Sequence, residues 1–341
     1  MKLGGLYRKI VSENIPFSVA IEVTTSCNQK CVHCYNDKRK TETLSLDKIK
    51  RILDEASELG SLFLTITGGE PMMREDIWDI LDYSVQSNFA TLLFTNGTLI
   101  GATEAARLKR IGVYWVDITL LGATSETHDR LTGISGSFES VMDAIRLLKK
   151  EEIGISIKTP VLTENFSELG RIREMVSEMK LLHIFSPVIY PRDNGNKEPV
   201  KHRLTNEQMT EYLKHYEKAL KINPTGSFSC DLGKVMFAVS ARGDVYPCLN
   251  VPYKLGNISD ISINSLWENS SALKKIREDS EKPCYSFSKC NKKFWCFRCE
   301  GLALLERKKM FVSDSESCRM AELRKKIDVD KKGRTDQDEM E

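Results

Sequence analysis

The chain has no apolar run long enough to cross a bilayer. Its first residues, Met1-Lys-Leu-Gly-Gly-Leu-Tyr-Arg-Lys9, carry charge but neither an apolar segment nor a small-residue cleavage site, so a secretory signal is excluded as well. An excess of charge of either sign is also missing. Lys and Arg number 50 against 48 Asp and Glu, and no net field draws the protein to nucleic acid or a membrane surface. Cysteine is absent from residues 35–229, and the 10 cysteines fall in two groups, three within 27–34 and seven within 230–318. In a chain of 341 residues without a signal, such clusters read as metal ligands rather than a disulfide framework, and reduced thiols indicate the cytoplasm. The length suits one large domain and a smaller one.

What is present from residue 17 to about 222 is an alternation of short apolar runs and amphipathic ones. Phe17–Val23 reads as a first strand. Ser45 is placed to cap a helix whose Leu46, Ile49, Ile52, Leu53, Ala56 and Leu59 share one face, with Gly60 as its stop. Strands follow at 62–67, 90–94, 114–121, 153–161 and 181–189, and helices from Ile77 to Val85, near 103–111, and at 138–150, 167–179 and 205–221. About six βα units imply a parallel sheet with right-handed crossovers, too few for a closed eight-stranded barrel. Beyond residue 222 the alternation stops, and Gly243-Asp244 suggests a hairpin turn. Glu322–Glu341 is almost all charged or polar and is expected to form a frayed helix and a disordered tail. The expected division is therefore an N-terminal segment at 1–16, a core at 17–222, a cysteine-rich domain at 223–321 and a tail at 322–341.

Ligands of parallel α/β folds bind at the C-terminal ends of the strands. Here those ends carry the cysteine loop, Gly68-Gly69-Glu70-Pro71, Thr95-Asn96-Gly97, Thr119 and Lys158-Thr159. The loop Cys27–Cys34 has the pattern CxxxCxxC, one thiol short of a closed zinc or iron–sulfur set. It suggests a [4Fe–4S] cluster with three irons held by Cys27, Cys31 and Cys34 and the fourth open.

This loop at the end of one strand, with Gly68-Gly69-Glu70-Pro71 at the end of the next, resembles the radical S-adenosylmethionine (SAM) superfamily. The resemblance implies an open, partial (β/α)6 barrel, with the amino and carboxylate groups of SAM chelating the open iron. It further implies reductive cleavage to a 5′-deoxyadenosyl radical that abstracts a hydrogen atom from the substrate. By the same resemblance, Gly68, Gly69, Glu70 and Pro71 form the SAM-binding turn, with the Glu70 region at the ammonium. His33 packs against the adenine, and Thr95, Asn96 and Thr119 reach the ribose or methionine part. Outside that family these residues would read as a strand-to-helix turn, a structural histidine and solvated hydroxyls. Glu126, His128, Asp129 and Arg130 fall in an expected loop before Gly133, a run that recurs in the superfamily and would let Arg130 pair with a carboxylate. No side chain is assigned as catalytic beyond the cluster.

The second thiol group runs Cys230, Gly243, Cys248, Cys284, Cys290, Cys296, Cys299 and Cys318 in the order of a SPASM extension, which usually carries two auxiliary [4Fe–4S] clusters. Its first and last intervals depart from the usual C-x2-C-x5-C-x3-C. By order of position, Cys284, Cys290, Cys296 and Cys318 would close one cluster. Cys230, Cys248 and Cys299 would hold the other, with one iron open or bound by another ligand. Structural zinc is the rival, since a CxxC among clustered cysteines is equally typical of zinc ribbons. Phe294, Trp295 and Phe297 are expected to pack around these ligands.

SPASM enzymes mostly modify peptides, by thioether or carbon–carbon crosslinks or by oxidation. The stretch Phe185–Gly195, with Pro199 and Arg203-Leu204, resembles maturases of ribosomally made peptides. The implied partners are SAM, a peptide or protein substrate, and a reductant such as flavodoxin or ferredoxin. Fewer than twenty residues precede the first strand, so leader recognition is expected from another chain or from the core. Two alternatives remain: a radical SAM enzyme on a small molecule, as in tetrapyrrole side-chain decarboxylation, and a non-catalytic iron–sulfur or zinc protein.

Overall fold

The computed structural model describes residues 3–36, 41–217, 230–280, 282 and 289–338. A first helix, α1 (Leu3–Ser12), leads into β1 (Ser18–Thr24), α2 (Leu46–Glu58), β2 (Phe63–Gly68), α3 (Ile77–Gln86), β3 (Ala90–Thr95) and α4 (Ala102–Ile111). The alternation continues through β4 (Trp115–Thr119), α5 (Ser125–Thr132), α6 (Ser137–Lys150), β5 (Gly154–Pro160), α7 (Leu169–Glu178), β6 (Leu182–Ser186) and α8 (Asn206–His215). The cysteine-rich part contributes β7 (Met236–Val239), β8 (Asp244–Tyr246), β9 (Gly256–Asn257), α9 (Ile263–Asn269), α10 (Ser271–Ser280), α11 (Glu300–Arg307) and α12 (Ser315–Asp338).

Strands β1 to β6 stand side by side in chain order, each pair parallel, the sheet of the expected partial (β/α)6 barrel. Alternate strand residues point to opposite faces. Val19, Ile21, Val23, Leu64, Ile66, Val116, Ile118 and Ile157 are fully buried and share one core with Ile49, Ile52 and Leu53 of α2 and Ile80 and Leu81 of α3. Burying each such side chain contributes about 1.5–3 kcal/mol. The other face carries Glu22, Thr67, Phe94, Asp117 and Lys158, all of which border the clefts described below. Helix α2 begins where Ser45 Oγ accepts from Lys48 N at 3.4 Å, and the chain leaves it through Gly60 at φ +88°.

The sheet does not end with the alternation. Strand β7 adds in parallel to the free edge of β1, Ser18 opposite Met236 and Ile21 opposite Val239. Strands β8 and β9 follow antiparallel, giving nine strands in the order β6-β5-β4-β3-β2-β1-β7-β8-β9. Gly243 (φ +83°) makes the β7–β8 turn, where hairpin geometry was expected. The expected boundary at 222 lies outside the described residues, whereas the helix expected at 205–221 ends already at His215, with Tyr216 as its C-cap.

One expectation is corrected. Residues 126–130 are not a loop but lie in α5, a helix of 8 residues. Thr124 caps its start by accepting from Thr127 N at 3.3 Å, and left-handed Gly133 (φ +71°) ends it. A helix of two turns shows too little periodicity to announce itself, and only its caps give it away. The helix expected from Glu322 is the later part of α12, which starts at Ser315 and runs on to Asp338. Met320 and Ile327 are buried, Leu323 packs beside them, and Arg324 (6% exposed) forms an ion pair of 2.9 Å with Glu217. The apolar stripe at 320, 323 and 327 is helical in spacing and was hidden by the surrounding charge.

Candidate functional site

The cysteine loop leaves β1 at Thr24 and is pinned on three sides by backbone and amide groups. Lys30 N donates to Thr132 O (2.8 Å) and Val32 N to Leu131 O (3.1 Å), so the last turn of α5 is the shelf on which the loop lies. A Cβ at Gly133 would meet Lys30 Cβ at 3.2 Å, and its left-handed backbone suits glycine in any case. Asn28 Nδ2 donates to Thr98 Oγ1 (2.9 Å), and Asn96 Nδ2 donates to Asn28 Oδ1 (2.7 Å). Asn36 Nδ2 donates to Gly68 O at 3.1 Å. At the next strand end Gly69 N and Glu70 N donate to Thr24 O and Ser26 O, each at 2.7 Å. A Cβ at Gly69 would fall 2.1 Å from Ser26 O, so only glycine permits this approach of the two strand ends.

The His128-Asp129-Arg130 run has a structural account in this arrangement. His128 is buried, its pKa pushed down to about 4 by burial, and its Nδ1 accepts from Leu121 N at 3.2 Å. Asp129 accepts from Gly136 N (2.6 Å) and Phe138 N (2.8 Å), tying α5 to α6. Arg130 points to solvent and does not border the cleft.

Between these strand ends lies a cleft of about 190 Å³. Cys27, Cys31, His33 and Cys34 border it on the loop side. Gly68, Gly69, Thr95, Asn96 and Thr119 border it on the strand side, so residues from four separate stretches of sequence meet here. Glu70 and Pro71 do not; both are buried beneath it. Glu70 Oε1 accepts from Thr95 Oγ1 (2.7 Å) and Met72 N (3.0 Å), and Oε2 accepts from Asn96 N (2.7 Å). Burial raises the pKa of this carboxyl, against the pull of those three bonds. The Glu70 carboxylate thus faces β3, while Gly68 and Gly69 of the same turn face the cleft. Asn96 likewise uses its amide on Asn28 and on Thr98, whose N and Oγ1 donate to Asn96 Oδ1 at 3.0 and 2.7 Å.

Sequence patterning alone missed two acids and did not single out the role of a base. Lys158 Nζ lies 2.6 Å from Asp117 Oδ2 across adjacent strands and 3.6 Å from the centroid of Phe94. A charged residue at an inward position of an otherwise apolar strand was the available signal. The same holds for Glu22, which borders a second chamber with Tyr35, Tyr190, Asp193, Arg242 and Tyr246. That chamber, about 60 Å³, lies between the barrel and the β7–β8 turn and shares Thr25, Tyr35 and Asn36 with the cysteine cleft. Tyr35 donates its hydroxyl to Glu22 Oε1 at 2.9 Å, and burial pushes the Glu22 carboxyl up to about 7.

The later thiols gather in two sets. Cys230 and Cys248 each lie within electrostatic reach of Cys299. Burial raises the Cys248 thiol, and the backbone N–H groups of Asn250, Leu249 and Val251 pull the other way. In the other set, burial followed by the neighbouring Cys318, Asp314 and Cys290 pushes Cys296 up to about 12. Cys284 lies outside the described residues. Thiols crowded so that each disfavours ionisation of the next are a donor set suited to a cation, whose charge replaces their protons. Among the described residues no three His, Cys, Asp or Glu side chains converge as a mononuclear site requires. Phe294 and Trp295 pack edge to face beside the second set, whereas Phe297 is exposed.

Residues 21–176 match the Radical SAM superfamily model, and residues 230–300 match SPASM, an iron-sulfur cluster-binding domain. Among curated proteins, the AdoMet-dependent heme synthase of Methanosarcina barkeri is 27% identical over 308 residues, 80% of this chain and 88% of that one. The mycofactocin maturase MftC of Mycobacterium tuberculosis is 28% identical over 289 residues, covering 77% and 73%. The crystal structure of Streptococcus suis SuiB bound to precursor peptide SuiA superposes with a TM-score of 0.69 at 18% identity, over 91% of this chain and 78% of that one, and shares its fold.

Proposed function

This chain is a radical SAM protein with a SPASM domain, and on that premise we propose that it binds SAM in the cysteine cleft and directs the resulting radical at a peptide. An iron–sulfur cluster bound there would supply the one-electron reducing power for cleavage of SAM. Cys27, Cys31 and Cys34 would hold it, with one iron left for SAM. Gly68 and Gly69 would present backbone to the methionine end and His33 would border the adenine, with Thr119 and the Asp117–Lys158 pair flanking the rest. Glu70, Thr95 and Asn96 keep the strand ends and the loop in register. The thiols at 230, 248 and 299, and those at 290, 296 and 318 with Cys284, hold auxiliary iron–sulfur groups, and a flavodoxin or ferredoxin supplies electrons. The barrel corresponds to residues 17–222 and the auxiliary domain to 223–321. Among the described residues no helix is long and apolar enough to cross a membrane, and the reduced thiols fit a cytoplasmic enzyme.

The observation that carries the peptide reading is the second chamber. It adjoins the SAM cleft at Thr25, Tyr35 and Asn36, which line both, and its acids, arginine and tyrosines offer hydrogen bonds at the scale of one side chain. Likeness to the heme synthase favours a second reading, a small-molecule substrate such as a tetrapyrrole side chain.

The test is anaerobic reconstitution of wild type and of Cys27→Ala/Cys31→Ala/Cys34→Ala, with iron and sulfide counts and dithionite-dependent formation of 5′-deoxyadenosine. About twelve iron per chain, falling by about four in the triple variant together with loss of deoxyadenosine, is the expected result. No deoxyadenosine from fully loaded wild type overturns the proposal. Faster deoxyadenosine formation with an iron-bound porphyrin than with peptides encoded beside the gene transfers it to the second reading.

A further inference from the structure

The segment that follows β6 connects the two halves of the site. Arg203 Nε donates to Ile189 O at 2.9 Å, and the same guanidinium reaches Glu306 of α11 (3.1 Å) and Glu316 of α12 (3.7 Å). Farther along, Asp193 N donates to Tyr35 O at 3.0 Å, so the segment is fastened to the cysteine loop as well. Between these anchors stands Tyr190. Its ring borders the second chamber, and its hydroxyl lies 3.3 Å from Cys299 Sγ. Cys299 is the residue from which α11 starts, so the helix that Arg203 holds through Glu306 also fixes the sulfur that Tyr190 meets.

A thiolate bound to iron has no proton to give, so the proton of this O–H···S bond comes from the phenol. A hydrogen bond to a ligand sulfur is stronger when the cluster carries the extra electron, and it favours the reduced state. We propose that Tyr190 is a positioning residue for the iron–sulfur group held by Cys230, Cys248 and Cys299, and that its hydroxyl donates to the Cys299 thiolate and raises the reduction potential of that group from the wall of the substrate chamber. This rests on the proposed function only in requiring that those thiols hold an iron–sulfur group. The donor to Cys299 is a side chain that borders the chamber, so this end of the set is open to influence from the substrate side.

The experiment is a potentiometric titration of the reconstituted holoenzyme followed by electron paramagnetic resonance, with the signal assigned by its change in Cys299→Ala. Tyr190→Phe keeps the ring and removes the donor. It is expected to lower the reduced-to-oxidised ratio at fixed potential by about three- to tenfold, tenfold being about 59 mV for one electron. Placing 3-fluorotyrosine at position 190, a more acidic phenol of nearly the same shape, is expected to shift the ratio the other way. Opposite shifts establish the bond, which a purely structural role for the ring would not produce. Should Tyr190→Phe shed the group, the fluorinated protein decides alone. A potential unmoved by fluorination, or moved downward by it, overturns the proposal and leaves the radical SAM reading intact. Zinc in place of iron and sulfide at this set overturns it together with the cluster assignment, while deoxyadenosine formation from the first cluster would continue.

Discussion

Glu22→Gln separates burial from hydrogen bonding at the floor of the chamber. Glu22 is 9% exposed and accepts the Tyr35 hydroxyl. Burial raises its carboxyl from an ordinary 4.5 to about 7, the Tyr35 bond opposes that rise, Asp193 adds to it and Arg242 subtracts. An acid whose pKa is higher folded than unfolded keeps its proton longer in the native state. Its contribution to stability is complete below about pH 4.5 and is lost as pH rises through about 7. At about 1.4 kcal/mol per pKa unit, the loss between pH 5 and pH 8 comes to about 2 to 3 kcal/mol. Glutamine still offers an oxygen to Tyr35 but cannot ionise, so its stability should lack this descent. Urea unfolding of the holoprotein under anaerobic conditions, followed by circular dichroism and by tryptophan fluorescence, is the assay. Wild type and variant should lie close at pH 5, and the variant should gain by about 2 to 3 kcal/mol at pH 8. A difference that is the same at both pH values, or a wild type that gains on the variant as pH rises, refutes the reasoning.

Two further substitutions probe the strand ends. Glu70→Ala leaves the Thr95 hydroxyl and the Met72 and Asn96 N–H groups without their buried acceptor, at about 1–3 kcal/mol each, and should destabilise the chain by about 3 to 5 kcal/mol in urea; a loss below about 1 kcal/mol would show that these bonds do not hold the turn together. Gly69→Ala places a methyl 2.1 Å from Ser26 O, forces the two strand ends apart, and should abolish SAM binding in equilibrium dialysis while the barrel's circular dichroism persists; wild-type affinity in that variant would show the close approach to be dispensable.

The parts that sequence determined are those encoded over short distances. A strand pattern of period two and a helix stripe of period 3.6 are local, so β1 to β6 and the long helices could be placed from the apolar residues alone. The Ser45 cap and the spacing of Cys27, Cys31 and Cys34 are equally local, and the family follows from that loop and the Gly68-Gly69-Glu70-Pro71 turn together. Short or polar elements escaped: α5 shows only its caps, and the apolar stripe of α12 is diluted by charge.

Tertiary structure decided what depends on residues far apart in the chain. That β7 pairs with β1 joins Ser18 to Met236, a contact no window of sequence contains. The same pairing places the β7–β8 turn over the barrel and so creates the chamber around Glu22, Tyr190 and Arg242. Only the fold shows that the Glu70 carboxylate turns toward Thr95 and Asn96 rather than into the cleft, because a side chain's direction is set by donors on another strand. Only the fold, again, brings Tyr190 to Cys299, across 109 positions of sequence. Periodicity and spacing are properties of the chain, while burial and hydrogen-bond partners belong to the surroundings that the folded chain makes for itself.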